Sequence, residues 1–464
     1  MKIHFHGAAQ TVTGSQYLLE INGSKVLLEC GLFQGRRSET YEKNLHFEYD
    51  PSSLDAVLLS HAHIDHSGNL PNLVKSGYKG PIYATPPTAE LARTMLLDSG
   101  HIQESDIIFV NKYRSRRGEP PLEPLYTMQD AVRVGGMFSE VDYNKTFLPI
   151  ENVSVKLVDA GHILGSAAIV LDITERNRTF RLWFSGDIGR LDLPLLRDPV
   201  LPSETDYLIM ECTYGDKPHD DPQEAYDELK EAIVRTVDRR GKVIIPAFSV
   251  GRTQELVYLI NTMVQTDQIP SLPVYVDSPL AVNASDIFRR FPGYFDSETK
   301  EFTETFQHPA LNFEKLTYTR SVDESKAINN HKGSAIIISA SGMAETGRIL
   351  HHLRNNIENP ANMILIVSWQ APYTLGRRLA DRNKEVKIFG RSYEVRAEVV
   401  TIGGLSAHAG QNMLVDYALN SKETLKEIFL VHGEKKSANA LQNRLQEIGI
   451  TNITYPTIHQ VVEI

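Results

Sequence analysis

Within six residues, His61, His63, Asp65 and His66 place three imidazoles and a carboxylate directly behind the apolar stretch 55–60. Nitrogen and oxygen donors at that density suit a divalent metal. On extended backbone His61 and His63 point to the same side and can reach one ion. Asp65 and His66 lie past a turn and can serve a second. A polar loop with incidental histidines is the alternative, and the density of donors at a strand end argues against it.

Three further strand ends offer donors: His162 in DAGHILGS, Asp187 in FSGDIG and His432 in VHGE. A lone loop histidine is more often solvated or packed, so each gains weight only in company with the others. Imidazole and carboxylate without thiolate suit zinc in a catalytic role, with manganese or iron as weaker matches. His408 in GGLSAHAG is another strand-to-loop candidate, and His351-His352 stands out at an expected helix. The remaining histidines read as surface or packing residues.

Strands must carry these loops. Segments 15–21, 25–29, 55–60, 154–159, 167–173 and 180–184 pattern as strands, separated by Asn22-Gly23, Gly31, Gly161 and Gly186. Helices are expected after Ser67 and over 87–99. From about residue 206, short apolar strands (207–210, 242–246, 274–277, 335–339, 363–367) alternate with helical stretches such as 223–238. That alternation predicts a parallel α/β layer. Strands return from about residue 385. The expected organisation is a first domain in two parts, 1–212 and 385–464, with an inserted domain over 213–384.

The chain has 464 residues, more than one core accommodates, and 41% hydrophobic with 23% charged residues is globular rather than disordered composition. A net charge of −10 disfavours non-specific nucleic-acid binding unless a local basic patch or bound cations reverse it. Two cysteines, Cys30 and Cys212, form no disulfide framework and fit a reducing compartment. With neither an apolar leader nor an 18-residue apolar run, the expected location is the cytoplasm, away from membranes.

HAHIDHSG, with LLECGLFQG before it and GHILGS and SGDIG after it, resembles the metallo-β-lactamase superfamily. MECTYG, PAFSVGRTQE, DSPLA, SASGMAETGRILHHL, APYTLGRRL, GGLSAHAG and VHGE resemble its β-CASP branch. That branch comprises nucleic-acid nucleases, among them the 73-kilodalton subunit of the cleavage and polyadenylation specificity factor and its bacterial ribonuclease relatives. The motifs run in order through almost the whole chain. The resemblance implies an α/β fold, an αββα sandwich carrying an inserted α/β domain of mostly parallel sheet. It implies two zinc ions, one on His61, His63 and His162 and the other on Asp65, His66 and His432, with Asp187 bridging. The implied catalytic set is His408, Glu211 and Asp65, with His408 as general acid. Members acting on RNA resemble this chain in having a histidine at position 432. There are two departures from the pattern. Glu29 stands where the family usually has Asp, one methylene shorter, and Gly410 ends a motif that frequently ends in Asp.

The implied activity is zinc-dependent hydrolysis of single-stranded RNA, endonucleolytic and open to 5′–3′ exonuclease action. A hydroxide bridging metals about 3.5–4 Å apart would attack in line, leaving 5′-phosphate and 3′-hydroxyl ends. Arg252, Ser341, Arg377 and Arg378 are candidate phosphate contacts. Arg36-Arg37, Arg391, Arg396 and Lys435-Lys436 are further basic residues near motifs, for which solvated surface is the alternative. Three competing readings are a catalytically silent RNA-binding subunit, a DNA nuclease and a small-molecule hydrolase of the same superfamily. The filled ligand positions, His432 and the inserted domain argue against them in turn. Homodimer formation is left open.

Overall fold

The computed structural model describes residues 1–35, 37–218 and 221–464, without the side chains of 37 and 38. Arg36 and the side chain of Arg37 therefore lie outside what is described. The chain folds as two compact units, one of residues 1–191, 198–218 and 408–464, the other of 192–197 and 219–407.

The first unit is built on two seven-stranded sheets. One runs Val461–Glu463, Lys2–Phe5, Tyr17–Ile21, Ser24–Leu28, Ala56–Leu58, Ile82–Ala84, Phe138–Glu140. The other runs Ile453–Thr454, Glu427–Val431, Tyr207–Glu211, Arg178–Phe184, Ala167–Glu175, Val153–Asp159, Thr146–Ile150. Ile3, Phe5, Tyr17 and Leu19 of the first interleave with Leu157, Ile169, Phe184 and Phe429 of the second, all buried. Each such side chain contributes about 1.5–3 kcal/mol on burial, so the sandwich is the rigid frame for the loops at its edge.

Helices cover the outer faces. Gln411–Leu419 and Lys435–Glu447 lay Leu414, Tyr417, Leu441 and Leu445 on Trp183, Met210 and Leu430 of the second sheet. Pro86–Arg116, with Thr85 as its N-cap, runs well past the 87–99 expected and buries Leu91, Ala92 and Leu96. With helices outside two packed sheets, the αββα architecture is as expected.

The second unit holds a six-stranded sheet in the order Leu316–Tyr318, Val274–Val276, Ala335–Ser339, Lys242–Pro246, Met363–Ile366, Glu398–Thr401. Every neighbouring pair in it is parallel. The expected boundary at 384 falls too early. Among the described residues, strands 385–388 and 391–394 pair only with each other, and Glu398–Thr401 completes the parallel sheet against Met363–Ile366. The insertion therefore extends to Ala407. The segment 192–197 also joins it, through a bridge from Leu196 to Phe295, which nothing in its composition announced. Among the described residues, no helix is long and apolar enough to cross a membrane.

Candidate metal centre

Val153–Asp159, Arg178–Phe184, Tyr207–Glu211 and Glu427–Val431 all run in one direction, so their C-terminal ends share an edge of the second sheet. From that edge come His162, Asp187, Glu211 and His432. Opposite them, Ala56–Leu58 delivers His61, and the short helix Ile64–Ser67 turns Asp65 and His66 inward. Glycines permit the close approach. A Cβ on Gly31 would lie 1.7 Å from the Asp65 carbonyl oxygen, and one on Gly189 would lie 1.9 Å from that of Gly161.

Two donor clusters result. His61 Nε2 is 3.1 Å from His63 Nδ1, and His162 Nε2 is 3.2 Å from that same atom. Asp187 Oδ2 lies 3.5 Å from both His61 Nε2 and His162 Nε2. In the second cluster, His66 Nε2 is 3.3 Å from His432 Nε2, which is 3.5 Å from Asp65 Oδ2. Asp187 Oδ1 faces this group, 3.3 Å from His66 Nε2. One carboxylate thus presents a separate oxygen to each cluster.

These separations test whether a metal fits. Tetrahedral donors about 2.0–2.1 Å from zinc stand roughly 3.3 Å apart, and the contacts above scatter around that value. Among the described residues, buried Asp187 Oδ1 and Glu211 Oε2 find no hydrogen-bond partner, as expected of atoms that await another partner. The residues fit a pair of divalent cations.

Hydroxyl groups fix the imidazole tautomers. Ser60 Oγ donates to Glu29 Oε2 at 2.9 Å, so it accepts from His61 Nδ1–H at 2.9 Å and leaves the His61 Nε2 lone pair facing the site. Thr213 Oγ1 donates to the His432 carbonyl at 2.9 Å and accepts from His432 Nδ1–H at 3.1 Å, freeing Nε2 in the same way. Glu29 Oε2 takes the Nδ1–H of His66 at 2.6 Å, and Glu29 Oε1 takes the Ser60 amide at 2.6 Å. The longer Glu29 therefore reaches the position required to orient a ligand. Neither Ser60 nor Thr213 was anticipated from sequence; adjacency to SHAH and ECT was the only available signal.

Burial, followed by the charge of His66, pushes His61 down to about 3, and burial lowers His63 and His162 as well. These rings are neutral, the form that binds metal. Burial alone would raise Asp65 and Asp187, but the surrounding imidazoles outweigh it and hold both carboxylates below their usual range.

His408 sits beside this set through a bridge to Gly189. Its Nδ1 lies 3.2 Å from Glu211 Oε1, which also accepts the Ile188 amide at 2.6 Å. Burial opposes its protonation, but Glu211, Asp187 and Asp65 overcome that and hold it up at about 9.

The four candidate phosphate contacts all lie in the second unit. Arg252 is buried and ion-paired to Glu255, so its charge is already met. Arg377 pairs with Asp381 at 2.9 Å, and Arg378 is half-buried. Ser341 Oγ accepts the amides of Glu345 and Thr346, each at 3.2 Å. Of the other basic residues, Arg396 pairs with Glu394 and Lys436 with Asp216.

Fold and donor set together define a metallo-hydrolase, and comparison with known proteins narrows the class. Residues 18–178 match the metallo-beta-lactamase superfamily domain and residues 253–379 the Beta-Casp domain. Residues 392–456 match the Zn-dependent metallo-hydrolase RNA specificity domain. The chain is 35% identical over 441 residues to Ribonuclease TTHA0252 of Thermus thermophilus, covering 95% of each chain. It is 31% identical to an RNase J-like protein of Methanocaldococcus jannaschii, over 93% of this chain and 92% of that one. Transcription termination factor FttA of the same organism is 31% identical, over 94% of this chain and 67% of its own length. A crystal structure of a protein of unknown function from Enterococcus faecalis shares the fold, with a TM-score of 0.56 at 14% identity over 99% of both chains. The chain belongs to the β-CASP branch of the metallo-β-lactamase superfamily, and it is a metal-dependent hydrolase.

Proposed function

We propose that this protein hydrolyses phosphodiester bonds of single-stranded RNA with two zinc ions, leaving 5′-phosphate and 3′-hydroxyl ends. The observation that carries the reading is the placement of the Glu211–His408 pair at the edge of a donor set shared by Asp187. The match at 392–456 to an RNA specificity domain, which spans His408 and His432, supports RNA as the substrate, as do the ribonucleases among the relatives.

His61, His63, His162 and Asp187 would hold one cation; Asp65, His66, His432 and Asp187 the other. Bound there, the cations supply Lewis acidity and neutralise charge on the phosphoryl oxygens. Glu211 receives the Nδ1–H of His408, so the proton on Nε2 is the one available to a departing 3′-oxygen. Glu29, Ser60 and Thr213 keep the ligand lone pairs aimed inward and do not move protons to substrate. We place the activity in a reducing cytoplasm, supported by the free, buried Cys30 and Cys212.

The test is metal analysis of the purified protein alongside digestion of end-labelled single-stranded RNA, with the chemistry of the product ends assigned. Two zinc ions per chain without cleavage of RNA would overturn the substrate reading and leave the metal centre standing.

A further inference from the structure

The second unit carries a depression of about 540 Å³ lined by His351, Arg354, Phe389, Arg391 and Tyr393. Phe389 and Gly390 form the two-residue turn between strands Glu385–Ile388 and Arg391–Glu394, in which Ile388 pairs with Arg391. Both have left-handed backbone, with φ of 50° and 77°. Such a turn prefers Asn-Gly, and a bulky aromatic at its first position is strained. The ring gains no compensating burial, since Phe389 is 53% exposed. A position that breaks the local rule while its ring stays largely exposed is a candidate for function.

The neighbours support that assignment. His351 packs against Phe389 in a tilted contact, with ring centroids 4.7 Å apart and an interplanar angle of 42°, and the Arg354 guanidinium lies 5.8 Å from the ring centroid. Arg391 and Tyr393, two residues apart on one strand, present the same face. Among the described residues neither Arg354 nor Arg391 is ion-paired; Arg354 Nε donates to Asn355. Glu394, on the same strand as Arg391, pairs with Arg396 at 2.6 Å. Burial and the charge of Arg354 hold His351 below its ordinary value, so it offers an uncharged ring. Three rings and two guanidinium groups that form no ion pair among the described residues line this recess, on a chain of net charge −10.

We propose that this recess binds a nucleotide, its base stacked against Phe389 and its phosphate held between Arg354 and Arg391. Stacking supplies sequence-tolerant affinity and the guanidinium pair reads the phosphate. A recess of this volume accommodates one nucleotide. The nucleotide is either free or one residue of a bound RNA; only the second alternative rests on the proposed nuclease activity.

Equilibrium dialysis of the zinc-loaded full chain against AMP tests the site, with Phe389→Asn and the double variant Arg354→Ala/Arg391→Ala beside the wild type. Asn suits the left-handed turn, so Phe389→Asn removes the ring without a folding penalty. The wild type should show an AMP-binding component that each variant weakens about 10-fold or more. KM for an oligouridine rising in step, with kcat unchanged, assigns the recess to the RNA chain; unchanged KM assigns it to a free nucleotide. AMP binding and KM both unchanged in both variants overturn the proposal, and RNA cleavage by those variants then leaves the nuclease reading intact. Conversely, wild type that cleaves no RNA but loses AMP binding on mutation retains the recess and refutes the nuclease.

Discussion

Nδ1 of His408 stands 3.2 Å from Oε1 of Glu211, although the two residues are 197 positions apart in the chain. Glu211 ends a central strand of the second sheet and is fully buried; His408 enters where the chain returns from the insertion. The carboxylate orients the ring and favours its charged form, which leaves Nε2 to deliver a proton.

Replacing His408 by Ala should lower the rate about 10²–10⁴-fold while both metals are retained. Glu211→Gln should shift the alkaline limb of the kcat–pH profile to lower pH. The acid form of His408 is required and its pKa, held up at about 9, falls when the carboxylate is lost. Loss of zinc from His408→Ala, measured by metal analysis, would mean that the residue is a ligand rather than a proton donor.

Glu29 touches no substrate position and works through His66 and Ser60. Its extra methylene is part of that geometry. Glu29→Asp should draw the carboxylate back from a 2.6 Å contact with His66 and weaken zinc binding about 10–100-fold. Competition with a chromogenic chelator measures this directly. Unchanged affinity would show that backbone adjustment absorbs the shorter side chain.

Chelation should both abolish hydrolysis and destabilise the first unit, because cations bound only by the folded donor set contribute stability that is lost when they are removed. A ligand present at about 1,000 times its Kd contributes about 4 kcal/mol. Calorimetry with and without a chelator should therefore separate the melting of the first unit by several degrees. Readdition of zinc should restore both properties; a melt indifferent to zinc would contradict the assignment of the donor set.

The candidate ligands were legible because each follows an apolar strand, and the end of a strand is visible in sequence as a change of polarity. His61, His162, Asp187 and His432 all obey that rule. Ser60 and Thr213 were not legible, since loop hydroxyls have no distinctive spacing and Thr213 meets His432 only across 219 residues. The late boundary was obscured for a related reason. Strand 398–401 has the same local pattern whether it pairs with Met363–Ile366 or with a sheet of the first unit. Phe389 was invisible as a functional residue because its signal is a backbone conformation, and sequence displays only an aromatic beside a glycine.

Asp277, in the DSPLA segment, ties the second unit together. Its Oδ1 accepts from Thr319 at 2.5 Å and from Arg348 at 2.7 Å; its Oδ2 accepts from Ser325 at 2.5 Å and from His352 at 2.6 Å. Those partners come from separate segments, so one fully buried carboxylate joins a strand end to two helices and a loop. Burial would raise its pKa, but His352, Ser325, Thr319 and Arg348 outweigh this and hold it below the usual carboxylate range. A depressed folded-state pKa contributes stability that is fully present above the unfolded value near 4 and is lost as pH falls through the folded value. Asp277→Asn keeps the shape, removes the charge and leaves Arg348 without its partner, which should cost about 3–5 kcal/mol at pH 7. Denaturant unfolding followed from pH 7 into acid should show the difference between wild type and variant shrinking below about pH 4, as the wild-type carboxyl takes up its proton. Zinc content should not change, because the donor set belongs to the first unit. A variant as stable as the wild type at pH 7 would show that the hydroxyl and backbone contacts alone hold these segments together.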